Sequence, residues 1–238
     1  MIQIKPVPCL TTEEIPILET GDVLTREEFE RRYDAMPNLK KAELLEGVVY
    51  MGSPVRFRKH GYPQAHLVAW GMVYASHGKG IYAADNATVR LDPLNEPQPD
   101  ATLFLDQQFG GQAQIGPDDY IEGPPELVCE VSSSTVSIDL NLKFRLYRKL
   151  GIKEYVVWRV LDQAIDWFIL RDEKFERLTP DEQGIYRSEV FPGLWLDSAA
   201  MIQFDLAKVL ATLQQGIASQ EHQEFMARIS SHQKGIEA

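Results

Sequence analysis

Between residues 126 and 160 the chain passes from an apolar strand to a helix and back to an apolar strand, and this succession constrains the fold more than any other feature. Glu126–Val131 (ELVCEV) has the character of a short central strand. Ser132-Ser-Ser-Thr-Val-Ser137 breaks it, a helix is expected from about Asp139 to Leu150, Gly151 closes that helix, and Lys153–Val160 resumes as a strand. Upstream, Thr25-Arg-Glu-Glu28 has the capping-box form and opens a helix to about Asp34. Two β-capable stretches of Ala42–Met51 flank Glu46-Gly47 as in a hairpin, and helical spacing of Leu67, Trp70, Val73 and Tyr74 predicts a helix over Tyr62–Ser76. Ile81–Leu91 and Ala101–Leu105 read as strands, and Gly110–Pro125 as a loop. Ile165–Leu170, Phe175–Leu178 and Ile185–Val190 follow as strands of an antiparallel extension, before a helical C-terminal stretch with an amphipathic segment from Ser219 to Ser231. Helix, hairpin, helix, strands, helix and more strands make an α/β fold with a mixed sheet.

No linker divides the 238 residues. The expected organisation is a tail or edge segment over residues 1–24, one domain over 25–200, and a helical segment over 201–238. Hydrophobic residues at 44 % and charged residues at 25 % supply an ordinary core and exclude a disordered or collagenous chain. Apolar runs are far shorter than the roughly 20 residues that span a bilayer, and MIQIKPVPCL has no export-signal form. Cys9 and Cys129 lie in unlike contexts, so a disulfide framework is not expected and a reducing cytoplasm fits best. A net charge of −11 argues against coating nucleic acid through bulk charge, but leaves room for a local, metal-assisted contact with phosphate.

Three residues stand apart from the surface charges. Asp100 follows Gln98-Pro99 and begins the apolar run ATLFL, and Glu130 lies inside ELVCEV. Carboxylates so placed need a cation or hydrogen bonds, because burying an unpaired charge costs several kcal/mol; a salt bridge or strand-end cap would satisfy either one. On an α-helical wheel from Leu140, the apolar side chains span an arc from about 240° through 0° to about 40°, and Lys143 falls inside it at about 300°. Arg145, Arg148 and Lys149 fall on the opposite side. The stem of Lys143 could cover apolar surface while its ammonium reaches water, or the ammonium could meet the two carboxylates. In the second case two acids, a backbone carbonyl such as that of Val131, and a lysine could hold Mg²⁺ and a phosphate for in-line attack by water.

At these residues the sequence resembles a large group described as putative restriction endonucleases, of cyanobacterial and planctomycete type, within the PD-(D/E)XK nuclease superfamily. The resemblance covers roughly residues 25–200. It is carried by Glu43-Leu-Leu-Glu-Gly47, Ser53-Pro-Val leading to His60-Gly61, Pro99-Asp100, Pro125-Glu-Leu-Val-Cys-Glu130-Val-Ser132, Asp139 with Lys143, and Gly151-Ile-Lys-Glu-Tyr-Val-Val-Trp158. It implies a restriction-endonuclease-like core, with a central mixed sheet flanked by helices, and a homodimer. It also implies that Asp100 and Glu130 are metal ligands with Mg²⁺ (or Mn²⁺), that Glu43 rather than Glu46 stands near the metal, and that DNA is the substrate. Ser132 occupies the place of the superfamily's usual lysine, and the resemblance implies that Lys143, displaced onto the following helix, supplies the ammonium.

His60 matches a recurring histidine of the group and could contact substrate or make a structural hydrogen bond. Arg56, Arg58 and Lys59 form with it the best local basic patch, able to steer a phosphate backbone or simply to stand in solvent. Asp139 is expected to cap its helix or pair along it, Cys129 to be a small core residue, and Trp158 and Trp167 to pack in successive strands. Two functions compete: a Mg²⁺-dependent endonuclease acting on DNA, and a catalytically silent interaction or regulatory protein on the same fold. A two-carboxylate glycoside hydrolase ranks below both, since it gives no reason for an inward lysine.

Overall fold

The computed structural model describes residues 15–52 and 54–236. Cys9, with the rest of the segment 1–14, and Ser53 lie outside the described residues. Thr25 accepts the N–H of Glu28 and caps helix α1 (Arg26–Asp34). Strands β1 (Ala42–Leu45) and β2 (Val48–Met51) form the expected hairpin. Leu45 faces Val48, so Glu46 (φ +51°) and Gly47 (φ +77°) are its two turn residues, both left-handed, as the twist of a tight hairpin requires. Part of the expected edge segment lies along this hairpin: Gly21 N–H donates to the Val49 carbonyl at 2.9 Å and Leu24 N–H to that of Gly47 at 2.8 Å.

A π-helical turn, Phe57–Gly61, leads directly into α2 (Tyr62–Ala75). Phe57, Arg58, Lys59 and His60 therefore lie on a widened helical turn, and just beyond it Pro63 has no N–H to donate. The expected strand Ile81–Leu91 is two strands, β3 (Ile81–Asp85) and β4 (Val89–Arg90), because Asn86 takes φ +49° and turns the chain out of the sheet. After β5 (Ala101–Leu105), the expected loop Gly110–Pro125 contains β6 (Gln114–Ile115) and β7 (Ile121–Glu122), which join β4 in a small separate sheet. These pairings are two residues long and leave no periodicity to read.

Strand β8 (Leu127–Ser132) is followed by a second π-helical turn, Ile138–Lys143, and then by α3 (Phe144–Lys149). The chain returns as β9 (Glu154–Arg159), β10 (Ala164–Arg171) and β11 (Lys174–Arg177). Of the expected strand Ile185–Val190 only β12 (Ile185–Arg187) forms, and it pairs with β13 (Trp195–Asp197) outside the main sheet. Helices α4 (Ser198–Ile202), α5 (Leu206–Ile217) and α6 (Gln220–Ile236) complete the chain. Among the described residues no helix is long and apolar enough to cross a membrane.

The main sheet has the order β11-β10-β9-β8-β5-β3. Its pairs are antiparallel except β8 with β9, which the crossover through residues 138–149 makes parallel, so the sheet is mixed and carries the expected antiparallel extension. Alternation on β8 sends Val128 and Glu130 to the face covered by α3, where Val128 meets Leu146, Tyr147, Tyr155 and Val157. Leu127, Cys129 and Val131 face the other side with Trp70, Trp158 and Met201. Cys129, Trp158 and Trp167 are the core residues expected. Burying a glutamate at position 130 of an otherwise apolar strand sets the electrostatic problem around which the site is built.

Candidate active site

Strands β5 and β8 pair with Ala101 opposite Cys129, and the same register places Asp100 opposite Glu130. Directly opposed residues on one face hold their Cβ atoms about 4.5–5.5 Å apart, so two carboxylates distant in sequence become neighbours at the end of the sheet. Asp100 Oδ2 accepts the Val131 N–H at 2.7 Å. Even-numbered carbonyls of β8 serve β9, as when Ser132 accepts from Val160 N–H, so the Val131 carbonyl is directed to the β5 side. There it would meet residue 99, a proline without an N–H, and the ladder leaves it without a strand donor.

The second π-helical turn ends at Lys143, and Lys143 and Tyr147 then lie one α-turn apart on the same face. Both reach a single oxygen: Lys143 Nζ donates to Glu130 Oε1 at 2.8 Å and Tyr147 OH to the same atom at 2.9 Å. The ammonium also donates to Glu43 Oε1 at 2.9 Å, and Glu43 Oε1 accepts from the Gln98 N–H at 2.8 Å. Lys143 is thus buried between the carboxylates, not extended along the surface. Glu43 faces the site from β1, whereas Glu46 is exposed at the hairpin turn.

Asp139 is buried and is not the cap of its helix, while the charge of Lys143, its i,i+4 neighbour, partly offsets the rise in its pKa that burial causes. Its carboxylate accepts the hydroxyls of Ser132 and, at 2.7 Å, Thr135, so Ser132 has a carboxylate partner of its own. His60 Nε2 lies 3.3 Å from Asp100 Oδ2, while its Nδ1 is buried without a hydrogen-bond partner. Lys41 was missed in the sequence: its Nζ is 3.0 Å from Asn86 Oδ1 and 3.3 Å from Asp100 Oδ1. Lys41, Asn86, His60, Asp100, Thr135 and Asp139 line, with Glu43, Glu130 and Lys143, a cleft of about 620 Å³. Arg56 and Lys59 stand along the same cleft, and Arg58 does not line it.

Charge in the cleft is unevenly compensated. Burial pushes Asp100 up, but the His60 hydrogen bond and the positive charges of Lys41, His60 and Lys143 outweigh it and hold the carboxyl at about 2. Burial raises Glu130 to about 8; Lys143 opposes this, and the negative charges of Asp100, Asp139 and Glu43 add to it. Burial would lower Lys143, yet Glu130, Glu43 and Asp139 hold it well above the usual lysine range, so it stays an ammonium. Four carboxylates, Glu43, Asp100, Glu130 and Asp139, share the cleft with four cations, Lys41, Arg56, Lys59 and Lys143, and of these cations Lys41 and Lys143 lie against the carboxylates.

Among the described residues no three His, Cys, Asp or Glu side chains form a ready-made metal cage. Mg²⁺ does not need one: it is commonly held by one or two carboxylates and keeps several waters. Asp100, Glu130 and the Val131 carbonyl are such a set of hard-oxygen donors, the ligand type that a divalent Mg²⁺ takes.

The chain matches the model of the Uma2 family, described as "Putative restriction endonuclease", over residues 26–199. A crystal structure described as a putative nuclease belonging to DUF820 from Anabaena variabilis is similar with a TM-score of 0.53 and 16 % sequence identity. The similarity covers 75 % of this chain and 99 % of that one, and at such identity it speaks to the fold, which is restriction-endonuclease-like as expected. No curated protein matches.

Proposed function

This chain belongs to the Uma2 family of putative restriction endonucleases, and we propose that it is a Mg²⁺-dependent endonuclease hydrolysing phosphodiester bonds of DNA. One observation carries the reading: a buried ammonium, Lys143, lies between Glu130 and Glu43 beside Asp100, on the wall of a cleft open to solvent. In this reading Asp100, Glu130 and the Val131 carbonyl hold the metal, which when bound would supply a Lewis acid and neutralise charge developing on the phosphate. Asp100, ionised at neutral pH, contributes permanent negative charge to that site. Lys143 keeps Glu130 and Glu43 in place and presents a donor to the attacking water or the phosphate oxygens, and Tyr147 fixes Glu130 from the other side. Lys41 and His60 hold Asp100 and are placed to meet a non-bridging phosphate oxygen. Arg56, Arg58 and Lys59 guide the strand towards the cleft. The same reading makes DNA the partner, the cytoplasm the compartment and a homodimer the working form.

Cleavage of supercoiled and linear DNA with Mg²⁺ or Mn²⁺ tests it, with the wild type beside Glu130→Gln and Lys143→Met and circular dichroism to verify folding. The expected result is metal-dependent cutting lost by at least 10²-fold in both folded variants, the scale on which a transition-state donor acts. The wild type cutting no DNA with either metal would instead favour a catalytically silent interaction protein. The clamping of both metal-ligand candidates by lysines is the observation behind that second reading.

A further inference from the structure

Next in sequence to Arg56 of the cleft, the chain carries an exposed aromatic ring that neither the catalytic groups nor the core uses. Phe57 is 69 % exposed, an unusual position for a phenylalanine, and it lies on the π-helical turn with Arg58 and Lys59. One side of its ring is seated on Tyr62, with centroids 5.1 Å apart and planes 27° apart. Tyr62 rests in turn on Phe204 at 5.2 Å, and Phe204 on the buried Trp158 at 5.4 Å. A stack running from the core to the surface therefore holds Phe57 in place while most of its surface meets water.

The surroundings say what such a ring would meet. Arg56, Arg58 and Lys59 are exposed and make no ion pair with a carboxylate among the described residues, although the chain carries a net charge of −11. Val55 and Leu161, 63 % and 60 % exposed, line the same cleft as Arg56 and Lys59. Cations that track a phosphate backbone, alternating with a fixed aromatic face, are the construction by which proteins hold unpaired nucleotides, because every base has a π-face. A paired duplex buries those faces within its own stack.

We infer that Phe57, mounted on Tyr62, is a base-stacking platform, and that the segment Arg56–Lys59 binds an unstacked nucleobase with its flanking phosphates. The base can belong to a single strand or be extruded from a duplex. The inference rests on the nuclease reading for the cleft's purpose, but it is tested by binding alone.

The wild type and its Phe57→Ala and Phe57→Trp variants are titrated in EDTA with three DNAs containing 2-aminopurine: a single strand, a paired duplex, and a duplex with one bulged base. Wild type and Phe57→Trp are expected to bind the single strand and to quench the probe, whereas Phe57→Ala binds it about tenfold or more weakly, the loss typical of one stacked base. Binding of the bulged duplex with the same Phe57 dependence would identify an extruded base; its absence would confine the site to single strands. Equal binding of all three DNAs by Phe57→Ala and wild type would overturn the inference. So would a concentration-dependent dimer, seen by sedimentation, that Phe57→Ala abolishes, since a second copy would then cover the ring. A wild type that never cuts DNA, yet shows Phe57-dependent binding, would remove the nuclease reading and leave this one standing. Cutting combined with Phe57-independent binding would remove this one alone.

Discussion

Glu130 Oε1 accepts from both Lys143 and Tyr147, so a single oxygen ties β8 to two turns of the following helix. Removing the phenol donor leaves that buried oxygen with one partner fewer, and a buried acceptor that loses its partner costs about 1–3 kcal/mol. Tyr147→Phe is therefore expected to destabilise the metal-free protein by about 1–3 kcal/mol without changing its secondary structure, as measured by urea denaturation. At this scale part of the site was legible. The wheel put Lys143 on the inner face, and Tyr147, one turn further, stands on that face by the same spacing. Lys41 and Glu43, two apart at the start of a strand, share a side for an equally local reason. Their common destination was not legible, because alternation says that two residues look the same way and does not say what they look at.

At the scale of elements, the β1–β2 hairpin delivers Glu43 through a turn that requires two left-handed residues. Gly47 adopts that backbone freely, whereas Glu46 pays part of the 1–2 kcal/mol that an ordinary side chain costs there. Its side chain is exposed, and Glu46→Asn is expected to raise stability by about 0.5 kcal/mol, read from the denaturation midpoint, while leaving cleavage unchanged. Long, strongly patterned elements were readable from the sequence: the capped α1, the hairpin, α2, and the strands from β8 to β10. Elements missed or misjudged are those decided elsewhere. The sheet of β4, β6 and β7 consists of two-residue pairings, and the left-handed Asn86 divides what local pattern presents as one strand. Both π-helical turns widen the helix by one residue at positions that carry site groups, a distortion that helix propensity does not encode.

For the whole molecule, buried glutamates set the response to pH. Glu154, opposite Leu127 at the start of β9, accepts from Ser188 Oγ and from the N–H groups of Glu189 and Val190. Burial raises its pKa from the usual 4.5 to about 7, although those hydrogen bonds oppose the rise. Between these values the folded protein binds a proton that the unfolded chain has released. Stability is thus fully present below about 4.5 and is lost as pH rises through about 7, by about 3 kcal/mol in all for this group. Glu96 and Glu130, both raised to about 8 chiefly by burial, act with the same sign. Metal-free protein is therefore expected to lose stability between about pH 5 and pH 8 in isothermal denaturation, and Glu154→Gln to flatten that slope.

By itself the sequence determined the α/β class, most of the elements, the inward face of Lys143 and the acidic strand ends, because periodicity, capping and turn chemistry act over a few neighbouring residues. Tertiary structure alone decided which groups meet. Lys143 and Glu43 lie 100 residues apart in sequence, and Lys41 and Asp100 lie 59 apart. Their contacts arise from the register between β5 and β8 and from the seating of the hairpin against the sheet. That register also sets the charge of the cleft, since each buried carboxylate titrates according to the cations and acids that packing brings beside it.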